Sequence, residues 1–384
     1  MEINEITNAI TSQTSYFGKL ITLEFTDSKK EILKLRPLID KFVTVFWLNG
    51  NRAVALVNKE QLKNLILNWP ITFKRNKKQL QKILDNQRVF FKGQNFSFDI
   101  TFRPLIYSIL NITPDSFYDG GINTSIDSVL KRIEKEKVQG ADIFELGGKS
   151  SRPNFKDITA NQEWERIAPY IKAIKKQFPK LVLAIDSNTE QVIEKALDQG
   201  VDIINDIDGF NSKKKLELVR NYQPSVVTMY NGRNFSEKAD NLSIQLTDFL
   251  KKSVQDLEDC GLNQQNIVLD PGVGFSKAKK FLQLDLLKMQ VISTLAFSGS
   301  PVMIAISRKS FLEKLFQLEL KDRLLPTLLF ENNMLESGGR ILRVHDVKET
   351  KEMIDIYQIY HNNMELPKKI IVLVSRFILG MIPI

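Results

Sequence analysis

Eight short apolar runs, each ending in polar or glycine residues, punctuate positions 106–346 and restrict the folds open to this chain more than any other feature. They read IYSILNITPDSF (106–117), DIFELGGKSSRP (142–153), LVLAIDS (181–187), DIINDIDG (202–209), SVVTMYNG (225–232), NIVLDPGVGF (266–275), PVMIAISRKS (301–310) and RILRVHD (340–346). Their polar ends, marked by Asn111, Gly147, Asp186, Asn205, Met229, Asp270, Ser307 and Arg343, succeed one another at intervals of 19 to 41 residues. Such intervals suit one helix and its two loops. Continuous Ile, Val and Leu bounded by polar residues suit strands buried on both faces, as in a parallel sheet with helical crossovers. Eight of them predict an α/β chain built on a closed (β/α)8 TIM barrel.

In that architecture every strand delivers its C-terminal residues to the same end. Asn111, Asp186, Asn205, Asp270, Lys309, Arg343 and His345 would therefore converge although they lie far apart in sequence. An active site is expected where they meet.

A chain of 384 residues and 44.1 kDa exceeds one such barrel. A barrel takes about 250 residues, which assigns it positions 104–360, leaving a small α+β domain at 1–103 and an apolar tail at 361–384. The formal charge is +9, and residues 1–100 carry 16 Lys and Arg against 9 Asp and Glu, so most of the excess lies outside the barrel. A basic segment can mark nucleic acid or anionic lipid. Here KRNKKQLQK (74–82) interleaves with no aromatic stacking platform, and a solvated lysine-rich surface is the expectation. Neither nucleic acid nor a membrane is expected as a partner; a homodimer is.

One cysteine, Cys260, excludes a disulfide framework and any cysteine-based metal cluster. Met1 opens a polar, acidic stretch rather than an apolar leader, and a cytoplasmic protein is expected. The tail IIVLVSRFILGMIPI (370–384) is apolar but, at 15 residues with Ser375 and Arg376 inside it, falls short of the roughly 20 needed to span a bilayer. Packing against protein, anchoring at an interface and disorder all remain open for it.

In the first hundred residues, LITLEF (20–25), VTVFWLN (43–49) and RAVALVN (52–58) read as strands, the last two joined about Asn49-Gly50. Residues 59–69 and 76–87 carry apolar side chains at helical spacing. A second hairpin at 88–101 would close this domain, with Arg103-Pro104 as the hinge. Within the barrel, 124–140 and 188–200 each start with cap residues and end in glycine, as helices of the outer ring should.

The strand ends carry three kinds of chemistry. The segments 111–121 and 147–154 are rich in Gly, Pro and small polar residues and hold Asp115 and Arg152, which reads as a charged lid. Asp186, Asp270 and Asn205 end deeply apolar strands, where an unpaired carboxylate costs several kcal/mol; each needs a ligand, a metal or a cation such as Lys309. Together Asp and Asn can read donors and acceptors on the edge of a planar heterocycle, while a structural Asp270–Lys309 salt bridge is the plainer alternative. Arg343 and His345 share one strand face. With Asn111 and Arg152 they would form an anion site, and Ser310, entering a helix, offers backbone N–H groups to a carboxylate or phosphate. No glycine-rich nucleotide motif is present. His361 lies beyond the last strand and reads as a surface residue.

At these residues the sequence resembles dihydropteroate synthase, over about positions 105–358. The resemblance rests on seven ordered segments: ILNITPDSFYDGG, GADIFELGGKSSRP, AIDS, IINDI, LDPGVGF, SRKSF and RVHDV. It implies a Mg²⁺-dependent condensation of a pterin pyrophosphate with p-aminobenzoate. Asn111 would hold the metal, and Arg343, His345 and Arg152 would neutralise the pyrophosphate. Asp186, Asn205, Asp270 and Lys309 would grip the pterin, near Met229. Phe275 and Pro153 would flank p-aminobenzoate, and Ser310 would meet its carboxylate. The departures are Lys149 and Ser151, where the family usually has Glu and Thr, and Tyr230 in place of a usual His. A pterin-binding methyltransferase and an inactive pterin-binding homologue are the alternatives. The first would need neither the Arg343/His345 site nor the SRKS segment. The N-terminal domain resembles an extension carried by some bacterial members.

Overall fold

The computed structural model describes residues 1–6, 20–43, 45–112, 125–149, 158–232, 242–275 and 281–361. They form two compact units, Met1–Arg88 together with Glu352 onward, and Val89–Lys351. The division falls inside the helix Val347–His361.

The first unit contains an antiparallel sheet of β1 (Glu2–Glu5), β2 (Ile21–Thr26), β3 (Val45–Asn49) and β4 (Arg52–Val57) in the order β1-β2-β4-β3. Asn49 pairs with Arg52, so the two-residue loop is Gly50-Asn51, one position later than the Asn-Gly pair suggests. Gly50 has φ +58°, which a side chain would resist at this point. Alternation along β4 buries Ala53, Ala55 and Val57, and the helices Lys59–Leu67 and Lys74–Asn86 bury Leu62, Leu65, Leu80 and Ile83. His361 stacks on Tyr357, with ring centroids 4.4 Å apart.

The second unit is the barrel. Its strands are β7 (Leu105–Asn111), β8 (Ile143–Gly147), β9 (Val182–Asp186), β10 (Ile203–Asp206), β11 (Ser225–Met229), β12 (Ile267–Asp270), β13 (Met303–Ile304) and β14 (Ile341–Val344). All are parallel, in the order β12-β11-β10-β9-β8-β7-β14-β13, and a bridge between Leu269 and Val302 brings the two ends together. The eight apolar runs are the eight strands. Helices cap as their sequences require: Ser125 accepts from the Ser128 amide, and Gly140 ends that helix at φ +108°.

Side chains alternate in and out along each strand. Tyr107, Ile143, Val182, Ile203, Val268 and Ile341 form one buried cluster in the barrel interior. Two residues further along each of β8, β9, β10, β12 and β14, the same alternation places Glu145, Ala184, Asn205, Asp270 and Arg343 inward. The interior thus changes from hydrocarbon to polar or charged groups within two residues along β8, β10, β12 and β14.

The hairpin of β5 (Phe90–Lys92) and β6 (Ser97–Asp99) corrects the sequence reading. It belongs to the barrel unit, so the boundary lies at Arg88–Val89 and not at Arg103-Pro104. An isolated two-stranded hairpin is marginal in water. This one buries Phe91 and Ile100 completely in the cluster that contains Tyr107 and Val268. Lys92 O accepts hydrogen bonds from Ser225 Oγ at 2.7 Å and Asn266 Nδ2 at 2.8 Å, fixing the hairpin where β11 and β12 begin. It floors the barrel opposite the polar ends.

Candidate active site

Strand register assembles the site. Asn111 pairs with Gly147, Gly147 with Asp186, and Asp186 with Asn205, so four strand ends lie in one row. Met229 pairs with Asp270 one step further round. A Cβ added to Gly147 would sit 3.3 Å from Asn111 Oδ1, so the missing side chain lets that amide lean across β8.

Two residues before Gly147 on β8, one layer deeper than this row, stands Glu145, fully buried. Arg343 Nε donates to its Oε1 at 2.7 Å, and Arg343 Nη2 donates to the same oxygen and to Asp186 Oδ2, the latter at 2.6 Å. Asn205 Nδ2 donates to Glu145 Oε2 at 2.9 Å. A carboxylate only accepts, so the NH₂ end of Asn205 must face Glu145 and the carbonyl end must face away. That Oδ1 is buried and has no hydrogen-bond partner among the described residues. A buried acceptor left unmade costs about 1–3 kcal/mol; a ligand donor would remove that cost.

Burial pushes the Asp186 carboxyl up to about 7, against the pull of Arg343 and helped by Glu145. Asp270 is also raised by burial, with Lys309 opposing. Its Oδ1 accepts from the Gly272 amide at 2.7 Å. Lys309 makes no ion pair with Asp270. Its Nζ donates to Val273 O at 2.6 Å and lies 4.9 Å from the centroid of the Phe275 ring. Burial lowers this ammonium to about 8 while Asp270 holds it up. The arrangement sets a carboxylate, an ammonium and an aromatic face around one pocket edge.

His345 faces Ser307, Nδ1 to Oγ at 3.0 Å. Burial and the neighbouring Arg343 lower it to about 3, so it is neutral at physiological pH. Arg308 turns the other way: at φ +53° it clamps Asp346 through Nε at 2.7 Å and Nη2 at 2.9 Å. That reversal lets Ser307 and Lys309 both face the site. Ser310 is exposed at the start of the six-residue helix Phe311–Phe316 and caps it with no side-chain bond. Tyr230 is buried against Phe249, ring centroids 5.3 Å apart, behind Met229.

Of the residues proposed from sequence, Asn111, Asp186, Asn205, Met229, Asp270, Phe275, Lys309, Arg343 and His345 lie at or just beyond the same strand ends. Asp115, Ser151, Arg152 and Pro153 lie outside the described residues. Sequence reasoning passed over Glu145. Its signal was a charged residue at an inward position of the run DIFELGG, two residues from Ile143 and from Gly147.

The sequence profile of the family described as "Pterin binding enzyme" matches residues 107–345, the barrel from its first strand to its last. This chain belongs to the dihydropteroate synthase family of pterin-binding enzymes. A dihydropteroate synthase of Clostridium beijerinckii is 34% identical over 264 residues, covering 67% of this chain and 96% of that one. A solved Clostridium difficile dihydropteroate synthase, determined in the presence of pteroic acid, superposes with a TM-score of 0.63 at 32% identity, over 69% of this chain and 99% of that one. The Yersinia pestis dihydropteroate synthase in complex with a sulfonamide drug gives a TM-score of 0.65 at 27% identity, over 71% and 98%. The family match lies wholly within the barrel unit.

Proposed function

We propose that the chain is a transferase of folate biosynthesis, a dihydropteroate synthase, joining 6-hydroxymethyl-7,8-dihydropterin pyrophosphate to p-aminobenzoate. The observation that carries this reading is the buried Asn205 Oδ1, without a partner among the described residues while Glu145 holds the other end of the amide. A pterin offers N–H donors and a carbonyl along one flat edge. Asp270 and Asn205 Oδ1 accept from such donors, and Lys309 donates to the carbonyl.

In the reaction the bond from the pterin methylene carbon to the pyrophosphate oxygen breaks, and both electrons leave with pyrophosphate. The aniline nitrogen of p-aminobenzoate bonds to the same carbon and loses a proton. Asp186 would stabilise the positive charge developing on the pterin. That charge in turn favours its ionised form, although burial raises its pKa. His345 contributes hydrogen bonding without charge, and Arg343 a permanent charge shared with Glu145 and Asp186.

Mg²⁺ fits this donor set. Among the described residues no group of three or more His, Cys, Asp or Glu forms a cage. Mg²⁺ needs none, since it takes one or two protein oxygens and completes its shell with water and substrate phosphates. Asn111 Oδ1 is the proposed protein oxygen, and the bound metal would screen the charge of the pyrophosphate. Ser151, Arg152, Pro153, Phe275 and Ser310 are proposed for p-aminobenzoate, for which sulfonamides would compete.

A homodimer in the cytoplasm completes the proposal. Leu325 and Leu329, one turn apart on the helix Leu324–Glu336, are both more than half exposed, an apolar face suited to a second copy. The lone cysteine, which is buried and unbridged, suits a reducing compartment. No helix among the described residues is long and apolar enough to cross a membrane. Pyrophosphate release from the dihydropterin pyrophosphate, measured with and without p-aminobenzoate, tests the reading. Release that depends on p-aminobenzoate and yields dihydropteroate supports it; no dihydropteroate under any condition overturns it.

A further inference from the structure

Two buried charged side chains on the helix Phe281–Gln290 have no part in the roles argued so far. Asp285 is 2% exposed and Lys288 1%. Three residues apart, they face the same side of the helix. Lys288 Nζ donates to Gly272 O at 2.7 Å, and Asp285 Oδ1 accepts from the Gly274 amide at 2.9 Å. Between those two attachments lies Val273, whose carbonyl holds Lys309 Nζ at 2.6 Å. Gly272, whose amide bonds Asp270, has φ +73° and Gly274 has φ +87°. A turn of such residues has little conformational preference of its own. Its shape is set by what grips it.

The charge around Lys288 comes from every side. Asp285 on its own helix and Asp270 on β12 favour its ammonium form, Lys309 after β13 opposes it, and Arg343 and Asp186 act on Lys309 as well. The Tyr230 ring centroid, at the end of β11, lies 5.5 Å from Nζ. Two ammonium groups therefore share one buried region with Asp270 and Asp285.

We propose that Lys288 and Asp285 are a positioning pair for the pterin site, gripping from both sides the turn that aims Lys309 and Asp270. The inference rests on the pterin-binding reading above. Without Lys288 the Gly272 carbonyl loses its donor and the acceptor of Lys309 shifts; at the same time Lys309 loses a like charge and keeps its proton to higher pH. A residue that only filled space would produce the first effect and not the second.

The test is calorimetric binding of 6-hydroxymethyl-7,8-dihydropterin to the full chain between pH 6.5 and 10, for wild type, Lys288→Met, Lys288→Arg and Asp285→Asn. Wild-type affinity should decline through about pH 8, where Lys309 and Lys288, both lowered to about 8 by burial, lose their protons. Ionisation of the pterin is common to all four proteins, so differences between them belong to the site. Lys288→Met should bind about tenfold more weakly at pH 7, with its alkaline decline displaced to higher pH. Asp285→Asn should weaken binding and displace the decline to lower pH, while Lys288→Arg leaves it near the wild-type position. Weakening without displacement in either charge-removing variant, or wild-type affinity in both, overturns the proposal. Should Lys288→Met fail to fold, Asp285→Asn and Lys288→Arg decide. A wild-type protein that binds no pterin removes the functional reading instead.

Discussion

The amide of Asn205 is oriented by Glu145, 2.9 Å away and sixty positions earlier in the chain. Glu145 also pairs with Arg343, so one buried carboxylate decides both which end of the amide faces the pocket and where the guanidinium rests. Glu145→Gln should therefore do two kinds of damage. It removes one partner of a buried pair, which costs about 3–5 kcal/mol, and it lets Asn205 turn its NH₂ toward the pocket. A lowered melting temperature together with weaker pterin binding is expected. Unchanged pterin affinity in a folded variant would separate Glu145 from ligand orientation.

Among the groups through which stability depends on pH, two at the site oppose each other. Asp186 is raised to about 7, so between about 4, its unfolded value, and 7 the folded chain binds the proton more tightly and stability falls as pH rises. His345 is lowered to about 3, so between 3 and about 6.5 the unfolded chain binds the proton more tightly and stability rises with pH. The two slopes oppose each other from about pH 4 to 6.5. Asp186→Asn should steepen the rise of melting temperature with pH in that window, and His345→Gln should turn it toward a fall. Thermal scans at half-unit intervals check both signs.

Lys309→Met should weaken pterin binding about ten- to hundredfold, the loss of one charge-assisted hydrogen bond of about 1.5–3 kcal/mol. Folding should be little affected, because the variant also removes a buried charge whose proton affinity burial already lowers. Calorimetry with the dihydropterin measures the first and thermal melting the second.

Phe91→Ala should destabilise the barrel by about 3–5 kcal/mol, because its ring is fully buried in the barrel's interior cluster. Urea unfolding followed by dihydropteroate synthesis as the probe is the measurement. If activity and the unfolding midpoint both stay at wild-type values, the hairpin does not floor the barrel.

Much of this was legible in the sequence for a simple reason. Strands buried on both faces must be apolar until they reach solvent or ligand, so a polar residue at the end of such a run marks the mouth of the barrel. Asp186, Asn205, Asp270 and Arg343 were found that way. Glu145 was missed because it stands inside its run. Nothing in the local sequence marks Lys288 and Asp285; only the tertiary fold turns these two helix residues inward. The hairpin at 88–101 was assigned to the wrong unit because alternation reveals an apolar face but not what covers it.

The floor of the barrel also constrains how the chain can be made and cut. Lys92 is separated by 133 and 174 positions from the two side chains that hold its carbonyl. During synthesis the hairpin is finished before any barrel strand, yet it has nowhere to bury Phe91 until the sixth strand has emerged. Closure of the sheet and seating of the hairpin become one late, long-range event, the kind of step that slows folding. A fragment begun at residue 104 would contain every barrel strand and none of its base.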